Sequence, residues 1–426
     1  MNTSLFAHVL QTYVVIVIAV MCVYAVRHFW FSISRLSMTQ RPSFQDLYDD
    51  ELPAITVVVP MHNEATVARD ALEALLNADY PPDRLEIIPI DDQSRDATTS
   101  ILAEYADRHP IVRPLYVLRG ARGKQNSLNV VLRIAKHPIV LVFDADYTPG
   151  PGLLRELGAA FTDPEVGAVM GRVVPRNTGR NLLTRLLSLE RSGGYQVDQQ
   201  ARFNLDLLPQ YGGTVGGFRR ELVERIGGFH EETLAEDTDL TVRLYAQGWK
   251  VVYANRAECY EEVPHQWSVR FRQLRRWSRG HNRAMLRNLS AIVRSEHLSF
   301  IQRLDGVLLL LVYAIPPLLL GGLAANVVLF YMGAMPVIAS ILIGFFIVGY
   351  NAVGNFAPVY EIGAAELLDG GVERIYLLPL LFTLFLFNSA AVSAGVFDTI
   401  GDVLKSRSVR WDKTGRARRP EAPGRA

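Results

Sequence analysis

Two aspartates, Asp144 and Asp146, have the spacing of a metal site. They directly follow the apolar run Ile139–Phe143, whose composition predicts a buried strand. Alternate residues that leave a strand can direct two carboxylates at one Mg²⁺ or Mn²⁺, hard cations that prefer oxygen ligands and keep positions for diphosphate oxygens. The alternative is a solvated turn in which an aspartate caps the next helix.

Three further groups of polar residues accompany this pair in a fixed order along the chain. An acidic pair follows the apolar run 85–90, a second acidic pair lies inside the segment 234–240, and a Gln-x-x-Arg-Trp motif precedes a long apolar stretch. These residue types can move protons, bind anionic groups and stack on rings. The groups are Asp91 with Asp92, Glu236 with Asp237, and Gln273 with Arg276 and Trp277.

The four groups and their order resemble the family 2 membrane glycosyltransferases, which include cellulose, chitin, hyaluronan and poly-N-acetylglucosamine synthases. The resemblance covers about residues 52 to 290 by motif, and more of the chain by architecture. It implies a GT-A-like, Rossmann-related α/β catalytic domain combined with transmembrane α-helices. The implied activity is inverting, metal-dependent and processive transfer from a UDP-sugar to a growing β-linked polysaccharide, coupled to export across the membrane.

On the donor side, the resemblance assigns residues near strand ends to the nucleotide and its diphosphate. The pair Asp91 and Asp92 could instead cap the helix that begins near Ser94, since Asp-Asp-Gln-Ser is a good helix N-terminus by itself. Lys124 could instead be a solvated lysine at a helix start. The assigned donor-binding residues are Pro60, Glu64, Asp91, Asp92, Lys124 and Asp144, with Asp144 and Asp146 as the ligands of Mg²⁺ or Mn²⁺.

Glu236 and Asp237 are the predicted catalytic carboxylates. Inverting sugar transfer requires one base to take a proton from the acceptor hydroxyl. Asp237 matches the base of the family's Thr-Glu-Asp-type motif, although Ala235 stands in place of the threonine. The alternative is an acidic first turn of the helix 237–247, where carboxylates interact favourably with the macrodipole. The glycine-rich segment that resembles the acceptor-side loop of polysaccharide synthases contains Gly213 and Thr214.

The Gln-x-x-Arg-Trp motif is expected to serve both substrates. Arg276 would stabilise the diphosphate that accumulates as the bond breaks, Trp277 would stack on an acceptor sugar ring, and Gln273 would donate amide hydrogen bonds. The same segment also predicts an arginine-rich amphipathic helix, which alone would be a peripheral membrane anchor. Its apolar stripe consists of Trp267, Phe271, Leu274 and Trp277.

Apolar stretches predict transmembrane helices. The chain has 426 residues, of which 49% are hydrophobic, and one crossing needs about 20 apolar helical residues. Residues 1–26 contain no Asp, Glu, Lys or Arg, only His8 as a basic side chain, and predict one span, with a cleaved signal peptide as the alternative. Residues 306–360 contain no Asp, Glu, Lys or Arg and predict two spans with a turn at 333–336, and residues 375–397 predict one more.

The charge distribution predicts the orientation of these spans. Arg27, Arg35 and Arg41 follow the first span, so the positive-inside rule puts the catalytic region in the cytoplasm, at a bacterial-type inner or plasma membrane. The acidic segment 361–374 is expected to be external and the basic tail cytoplasmic. The span count would leave the tail outside unless one apolar segment is re-entrant or the number of spans differs. The expected partners are the UDP-sugar, the growing glycan and the lipid bilayer, and an accessory export subunit or a homo-oligomer is left open.

The region between the spans predicts one soluble α/β domain. Its β-branched runs alternate with helical patterns, which predicts parallel strands joined by right-handed crossovers, with the polar motifs at the strand ends where open sheets bind ligands. The predicted organisation is an N-terminal transmembrane helix with a basic segment (1–50), the GT-A-like domain (51–265), amphipathic interfacial helices (266–304), transmembrane helices (305–400) and a basic tail (401–426).

Several other functional classes agree with fewer of these sequence features. A net charge of +1 gives no sign of nucleic-acid binding, and two cysteines make a disulfide framework unlikely. A non-processive enzyme that glycosylates a lipid or polyprenyl phosphate shares the donor motifs, but Gln-x-x-Arg-Trp followed by several spans favours polymer synthesis. The intact set of acidic groups argues against an inactive scaffold or transporter, and nucleotide-type motifs at strand ends do not suit a hydrolase with paired carboxylates.

Overall fold

The computed structural model describes residues 3–38, 47–118, 123–230, 233–334 and 355–405. A long N-terminal helix, α1 (Thr3–Ser37), precedes an α/β domain, and further helices follow that domain. Within the described residues, eight strands form one sheet in the order β3-β2-β1-β4-β7-β6-β8-β5. The strands are β1 (Ile55–Met61), β2 (Leu85–Asp91), β3 (Leu115–Tyr116), β4 (Ile139–Val142), β5 (Thr148–Pro149), β6 (Val166–Pro175), β7 (Gly216–Arg219) and β8 (Lys250–Glu261).

Helices of very different lengths flank the sheet and continue beyond it. In the domain these are α2 (Ala68–Leu76), α3 (Thr98–Arg108), α4 (Lys124–Ile134), α5 (Leu153–Ala159), α6 (Leu182–Ser192), a π-helical segment (Gly193–Gln199), α7 (Gln200–Asn204), α8 (Arg220–Arg225) and α9 (Glu236–Ala246), with 3₁₀ turns at Pro82–Arg84 and Ala160–Thr162. After it come α10 (Trp267–Arg294), α11 (Phe300–Leu311), α12 (Pro316–Tyr331), α13 (Asn355–Leu368), a 3₁₀ segment (Val372–Leu380) and α14 (Leu381–Leu404).

Both faces of the central strands are buried. Alternate residues of β1 point to opposite faces: Val57 packs in a core with α2, α3 and α5, whereas Val58 packs in a second core with α4, α8 and α9. Strands that are covered on both faces read as continuous apolar runs, which is why the sequence predicts them well. β1 pairs in parallel with β2 and with β4, so the residues that follow these strands meet at one edge of the sheet.

The sheet is mixed, whereas alternation in the sequence predicts parallel pairing. β7 lies between β4 and β6 and is antiparallel to both. A Cβ atom on Gly216 would lie 2.3 Å from the carbonyl oxygen of Val169, and one on Gly217 would lie 2.4 Å from that of Val140. Glycine is therefore required where β7 enters the sheet. A strand built on two glycines has little β-propensity, so the apolar pattern does not reveal it.

Two described segments, Ser4–Ser37 and Glu373–Leu404, are long and apolar enough to cross a membrane. The pair α11 and α12 is bent by 71° and would add a third crossing if it formed one broken span. Two spans are predicted at 306–360, and residues 335–354 of this region lie outside the described residues. The predicted basic tail lies outside them from residue 406 onward. The predicted spans near both ends therefore correspond to suitable helices.

The acidic segment 361–374 contacts the α/β domain, so the prediction that the two lie on opposite sides of a membrane is wrong. Arg172 of β6 donates two hydrogen bonds of 2.7 Å to the carboxylate of Asp369. Arg374 donates to the hydroxyl of Ser188 at 3.0 Å. The prediction fails because it counts these carboxylates as solvated charges, whereas a cation of the domain pairs with Asp369.

A buried network of ion pairs attaches α1 to the domain. Arg27 contacts Asp198 at 2.8 Å and Asp305 at 3.4 Å, and Arg202 contacts Asp198 at 2.7 Å and also pairs with Asp305. The Arg202 side chain is only 1% exposed. Because two guanidinium groups share two carboxylates, each carboxylate is needed to keep the buried charge balanced.

Replacing Asp305 by asparagine should destabilise the protein strongly. Two arginines would then share one carboxylate, and an uncompensated buried charge costs about 3–5 kcal/mol of unfolding free energy. Thermal unfolding followed by tryptophan fluorescence in detergent measures the loss. The matched control is Glu104→Gln, because Glu104 pairs with Arg69 and Arg108 at the surface, where solvent weakens ion pairs. Equal midpoints of thermal unfolding for Asp305→Asn and Glu104→Gln would contradict the structural role of the network.

Candidate active site

A cavity of about 780 Å³ opens beside the carboxyl ends of β1, β2 and β4. The first turn of α9 and one face of α10 form two of its other walls. This arrangement brings together residues that are far apart in the sequence. The predicted site residues that line the cavity are Pro60, Glu64, Asp92, Lys124, Asp144, Asp146, Thr214, Glu236, Asp237, Gln273, Arg276 and Trp277.

The two aspartates that follow β2 have different environments. The carboxylate of Asp91 accepts hydrogen bonds from the backbone N–H of Ser94, at 2.9 Å, and from the hydroxyl of Thr99. Asp91 does not line the cavity, and these contacts match the alternative in which it caps the following turn. Asp92 lines the cavity, and its Oδ2 accepts from the N–H of Gly123 at 3.0 Å. Its Oδ1 is buried without a hydrogen-bond partner.

Lys124, at the start of α4, connects the two groups of carboxylates. Its Nζ lies 2.7 Å from Oδ1 of Asp144 and 3.8 Å from Oε1 of Glu236. Burial alone would lower the pKa of Lys124, but the charges of Asp144 and Glu236 outweigh it and raise the pKa. The ammonium group is therefore fully charged at neutral pH and lies between Asp144 and the first turn of α9.

The first turn of α9 carries Glu236 and Asp237 with raised pKa values. Burial raises the pKa of Glu236 to about 7, with the neighbouring Asp237 charge adding to this effect and Lys124 opposing it. Burial also raises the pKa of Asp237. Oδ1 of Asp237 accepts from the backbone N–H of Thr238 at 2.7 Å, and Oε2 of Glu236 accepts from the Gln125 amide at 3.1 Å. Two interacting carboxyls of this kind titrate as a pair.

The glycine-rich loop before β7 contacts both groups of carboxylates, through a hydroxyl at Thr214 and through close packing at Gly213. The Thr214 hydroxyl accepts a hydrogen bond of 3.0 Å from the backbone N–H of Asp144. Gly213 does not line the cavity, but a Cβ atom built on it would lie 3.1 Å from the Cβ of Asp237. Gly213 also has a φ of +73°, a conformation that favours glycine. A larger residue at Gly213 would therefore displace Asp237.

α10 presents one face to the cavity. Gln273 and Trp277 are four residues apart and therefore lie on the same side of the helix. The adjacent Arg276 also lines the cavity, and its Nε is buried without a hydrogen-bond partner. Burial lowers the pKa of Arg276, while the charges of the cavity carboxylates counteract the shift. Arg276 thus supplies a second cation with unused hydrogen-bonding capacity.

Trp277 is held between charged neighbours. The guanidinium carbon of Arg191 lies 5.4 Å from the centre of its ring, and that of Arg270 lies 5.7 Å away, both within the range of a cation–π contact. Arg270 also donates a hydrogen bond of 3.0 Å to the side-chain oxygen of Gln273. The orientation of Trp277 is therefore fixed by protein contacts before any ligand is present.

Sequence motifs do not reveal every side chain of the site. Gln125, Arg191, Glu261, His281 and Tyr313 all line the cavity, and no motif singles them out. His281 could have been found from its spacing, because it follows Gln273 and Trp277 at a further four residues on α10. Arg191 and Glu261 form an ion pair of 2.8 Å across the cavity wall, a contact that only the fold creates.

The acidic residues of the cavity fit a divalent cation that is completed by ligand oxygens. Asp144 and Asp146 both line the cavity, and the Asp144 side chain is 37% exposed. Within the described ranges, no group of three or more His, Cys, Asp or Glu side chains could hold a metal by itself. Mg²⁺ and related cations commonly bind through one or two carboxylates together with substrate phosphates, so the two aspartates suffice.

Comparisons with known proteins identify the family. A model for the glycosyltransferase like family 2 matches residues 53–280. The probable glycosyltransferase YdaM of Bacillus subtilis (strain 168) is 33% identical over 243 residues, which cover 56% of this chain and 58% of that protein. Glucomannan 4-beta-mannosyltransferase 7 of Arabidopsis thaliana is 28% identical over 255 residues, which cover 58% of this chain and 46% of that protein. The chain thus spans about half the length of these curated relatives.

A solved structure supports the same assignment of fold. The mannosyltransferase PcManGT from Pyrobaculum calidifontis, determined in complex with GDP-Man and Mn²⁺, superposes with a TM-score of 0.62 at 23% identity. The match covers 92% of this chain and 99% of that chain. The predicted GT-A-like fold with additional apolar helices is confirmed. The family match spans more than half of the sequence and includes the residues that follow β1, β2 and β4, so this chain belongs to the glycosyltransferase like family 2.

Proposed function

We propose that this protein transfers a sugar, with inversion, from a nucleoside diphosphate sugar to a hydroxyl group of a glycan acceptor. The observation that carries the proposal is the position of Lys124, whose ammonium group contacts Asp144 and lies near Glu236, next to Asp237, in one cavity. Such a cavity offers cationic groups for a diphosphate and, a short distance away, a carboxylate that can accept a proton.

The donor is held on the Asp144 side of the cavity. Asp92 has a buried oxygen without a partner, suited to a hydrogen-bond donor of the nucleoside, and Lys124 and Arg276 provide charge for the diphosphate. When bound by Asp144 and Asp146, Mg²⁺ or Mn²⁺ would neutralise charge on the departing diphosphate. The motif resemblance favours UDP, whereas PcManGT contains GDP-Man, so both nucleotides belong in the test.

Asp237 is the proposed base. The acceptor hydroxyl loses its proton to the carboxylate of Asp237 while its oxygen forms the new bond to the sugar C1 carbon. The bond between C1 and the diphosphate oxygen breaks in the same step, and the diphosphate leaves with the electron pair. Burial raises the pKa of Asp237, which makes it a stronger base than an exposed aspartate.

The acceptor is proposed to be a growing β-linked polysaccharide that is exported across the membrane. The cavity is also lined by Trp277 and by apolar side chains of the helices that follow the domain, Ile362 of α13 and Phe385 of α14. This lining supports an acceptor that stacks on an aromatic ring and leaves toward the apolar helices. A lipid or polyprenyl phosphate that receives one sugar is the alternative, and the two differ in the length of the product.

Asp237→Asn should reduce transfer by about 10²- to 10⁴-fold, because asparagine keeps the shape but cannot accept the proton. Sugar transfer from a panel of UDP- and GDP-sugars measures the loss, and Asp107→Asn, on the exposed face of α3, is the control. The base must be deprotonated to act, and burial raises its pKa. As the pH decreases, kcat/KM of the parent should therefore begin to fall at a higher pH than about 4, where an ordinary carboxyl titrates. If the asparagine variant turned over at the rate of the parent, a residue other than Asp237 would have to accept the proton.

Removal of the divalent cation, or of either ligand, should abolish transfer. Asp144→Ala and Asp146→Ala should fold like the parent, because both side chains lie at the cavity rather than in the core. Calorimetry with Mn²⁺ and a nucleoside diphosphate should detect weaker binding in both variants. Full activity in excess chelator, or in the Asp146 variant, would exclude the metal site.

Trp277→Ala should impair elongation more than it slows the release of nucleoside diphosphate to water, because water needs no aromatic surface. Loss of such a stacking contact costs on the order of 1 kcal/mol, and Trp277→Phe should restore part of it. The assay compares diphosphate released with sugar found in high-molecular-weight product. Trp267→Ala is the matched control, since Trp267 begins the same helix and packs on Phe387. If the parent adds one sugar to a lipid and stops, the polymer proposal fails.

A further inference from the structure

His281 lies on the cavity-facing side of α10, one turn beyond Trp277. α10 approaches the loop before α9 closely at the preceding residue, where a Cβ atom built on Gly280 would lie 3.0 Å from the backbone carbon of Leu234. This close packing brings the imidazole of His281 to Thr238, the residue that follows Asp237. Nδ1 of His281 lies 2.8 Å from the Thr238 hydroxyl oxygen.

The Thr238 hydroxyl has three polar neighbours but only one proton to donate. The Gln210 amide donates to its oxygen at 2.7 Å, so the hydroxyl proton is left for either His281 or Asp237. Nδ1 of His281 is 2.8 Å away, whereas Oδ1 of Asp237 is 3.4 Å away. We assign the hydroxyl proton to the shorter contact, so that the Thr238 hydroxyl donates to Nδ1 of His281. In the opposite arrangement His281 would donate from Nδ1–H and the hydroxyl would donate to Asp237, which the nitrogen NMR experiment described below distinguishes.

This hydrogen bond determines which ring nitrogen of His281 carries the proton. Burial lowers the pKa of His281 to about 4, so the imidazole is neutral at physiological pH. A neutral imidazole that accepts at Nδ1 carries its proton on Nε2. The ring of Tyr313 stacks on one face of the imidazole, with centres 4.4 Å apart and planes inclined by 10°. With Nδ1 used and one face covered, the edge that carries Nε2 remains for a ligand in the cavity that His281 lines.

We propose that His281 binds the acceptor substrate, donating a hydrogen bond from its Nε2–H to an oxygen of the sugar that carries the reacting hydroxyl. Thr238 ties His281 to Asp237, the proposed base, so the imidazole lies on the side of the cavity where the acceptor must be deprotonated. The inference rests on the proposed function, because it takes Asp237 to mark the acceptor side. It adds a hydrogen-bond donor that the Gln-x-x-Arg-Trp motif does not contain.

Tyr313 connects His281 to the apolar helices α11 and α12. It lies between α11 and α12, at the corner where the two helices are bent by 71°. Its backbone carbonyl also accepts a hydrogen bond of 3.4 Å from the Asn282 amide. The imidazole is thus fixed from two sides, by the α9 turn and by this corner. Because the Nε2–H group of His281 has few alternative orientations, it favours acceptors that place an oxygen within hydrogen-bond distance of it.

Two substitutions separate the two ring nitrogens. His281→Asn keeps an acceptor near the position of Nδ1 and removes the donor at Nε2, whereas His281→Gln puts an amide N–H near the position of Nε2. If Nε2–H binds the acceptor, His281→Asn should raise the acceptor KM about threefold to tenfold, the value of one hydrogen bond, and more than it raises the donor KM. His281→Gln should recover part of the loss. His109→Asn is the control, since His109 also stacks on a tyrosine, Tyr105, outside the cavity.

The kinetic experiment uses the full chain in detergent, with GDP-mannose and UDP-glucose as donors and with β-1,4-mannotriose and cellotriose as acceptors. An acceptor KM that is higher for His281→Gln than for His281→Asn would overturn the inference, because the Nδ1 contact would then be the important one. Unchanged acceptor KM values in both variants would overturn it as well. The acceptor KM is expected to be lowest for the parent, higher for His281→Gln and highest for His281→Asn.

A second measurement does not require turnover. Nitrogen NMR of the histidine-labelled protein, with His281→Gln used to assign the signal, reports which ring nitrogen carries the proton. We expect Nε2–H with a bare Nδ1, and a protonated Nδ1 would overturn the inference. If the parent releases no nucleoside diphosphate from either donor, the proposed function fails, and the NMR result still decides the direction of the Thr238–His281 hydrogen bond.

Discussion

The charge balance inside the cavity is the constraint on which the site depends. Asp144, Asp146, Glu236 and Asp237 all line one cavity, and like charges so close to each other raise the cost of ionisation. Lys124 offsets part of this repulsion through its contacts with Asp144 and Glu236. The site is therefore suited to gain a divalent cation, which would offset the excess of carboxylates and in turn balance the charge of a diphosphate.

The helices around the domain keep this cavity in place. α10 is attached to α14 by ion pairs of Arg275 with Asp398 and of Arg279 with Asp402, each with a contact of 2.5 Å. A Cβ atom on Gly395 of α14 would lie 2.5 Å from the carbonyl oxygen of Arg275, so the two helices approach closely. The apolar segments thus support the wall of the site that carries Trp277 and His281, and mutations in α14 can influence substrate binding without touching a substrate.

Much of the fold could be predicted because β1, β2, β4 and β6 are apolar runs buried on both faces. β7 could not, because its glycines are selected by close backbone contacts rather than by strand propensity. Most of the residues that the motifs single out line the cavity, but the motif alone could not decide that the carboxylate of Asp91 is used by Ser94 and Thr99. His281 and the contact of Asp369 with Arg172 depend on tertiary packing, which local patterns do not encode.

The stereochemistry of the product is the most direct test of the proposed inversion. A single displacement, with the proposed base Asp237 on one face and the diphosphate leaving from the opposite face, converts an α-linked nucleotide sugar into a β-linked product. NMR of the first product formed from such a donor reads the configuration of the new linkage from the coupling at its anomeric centre. We expect a β linkage from the earliest time point, and an α linkage would contradict the single displacement proposed for this cavity.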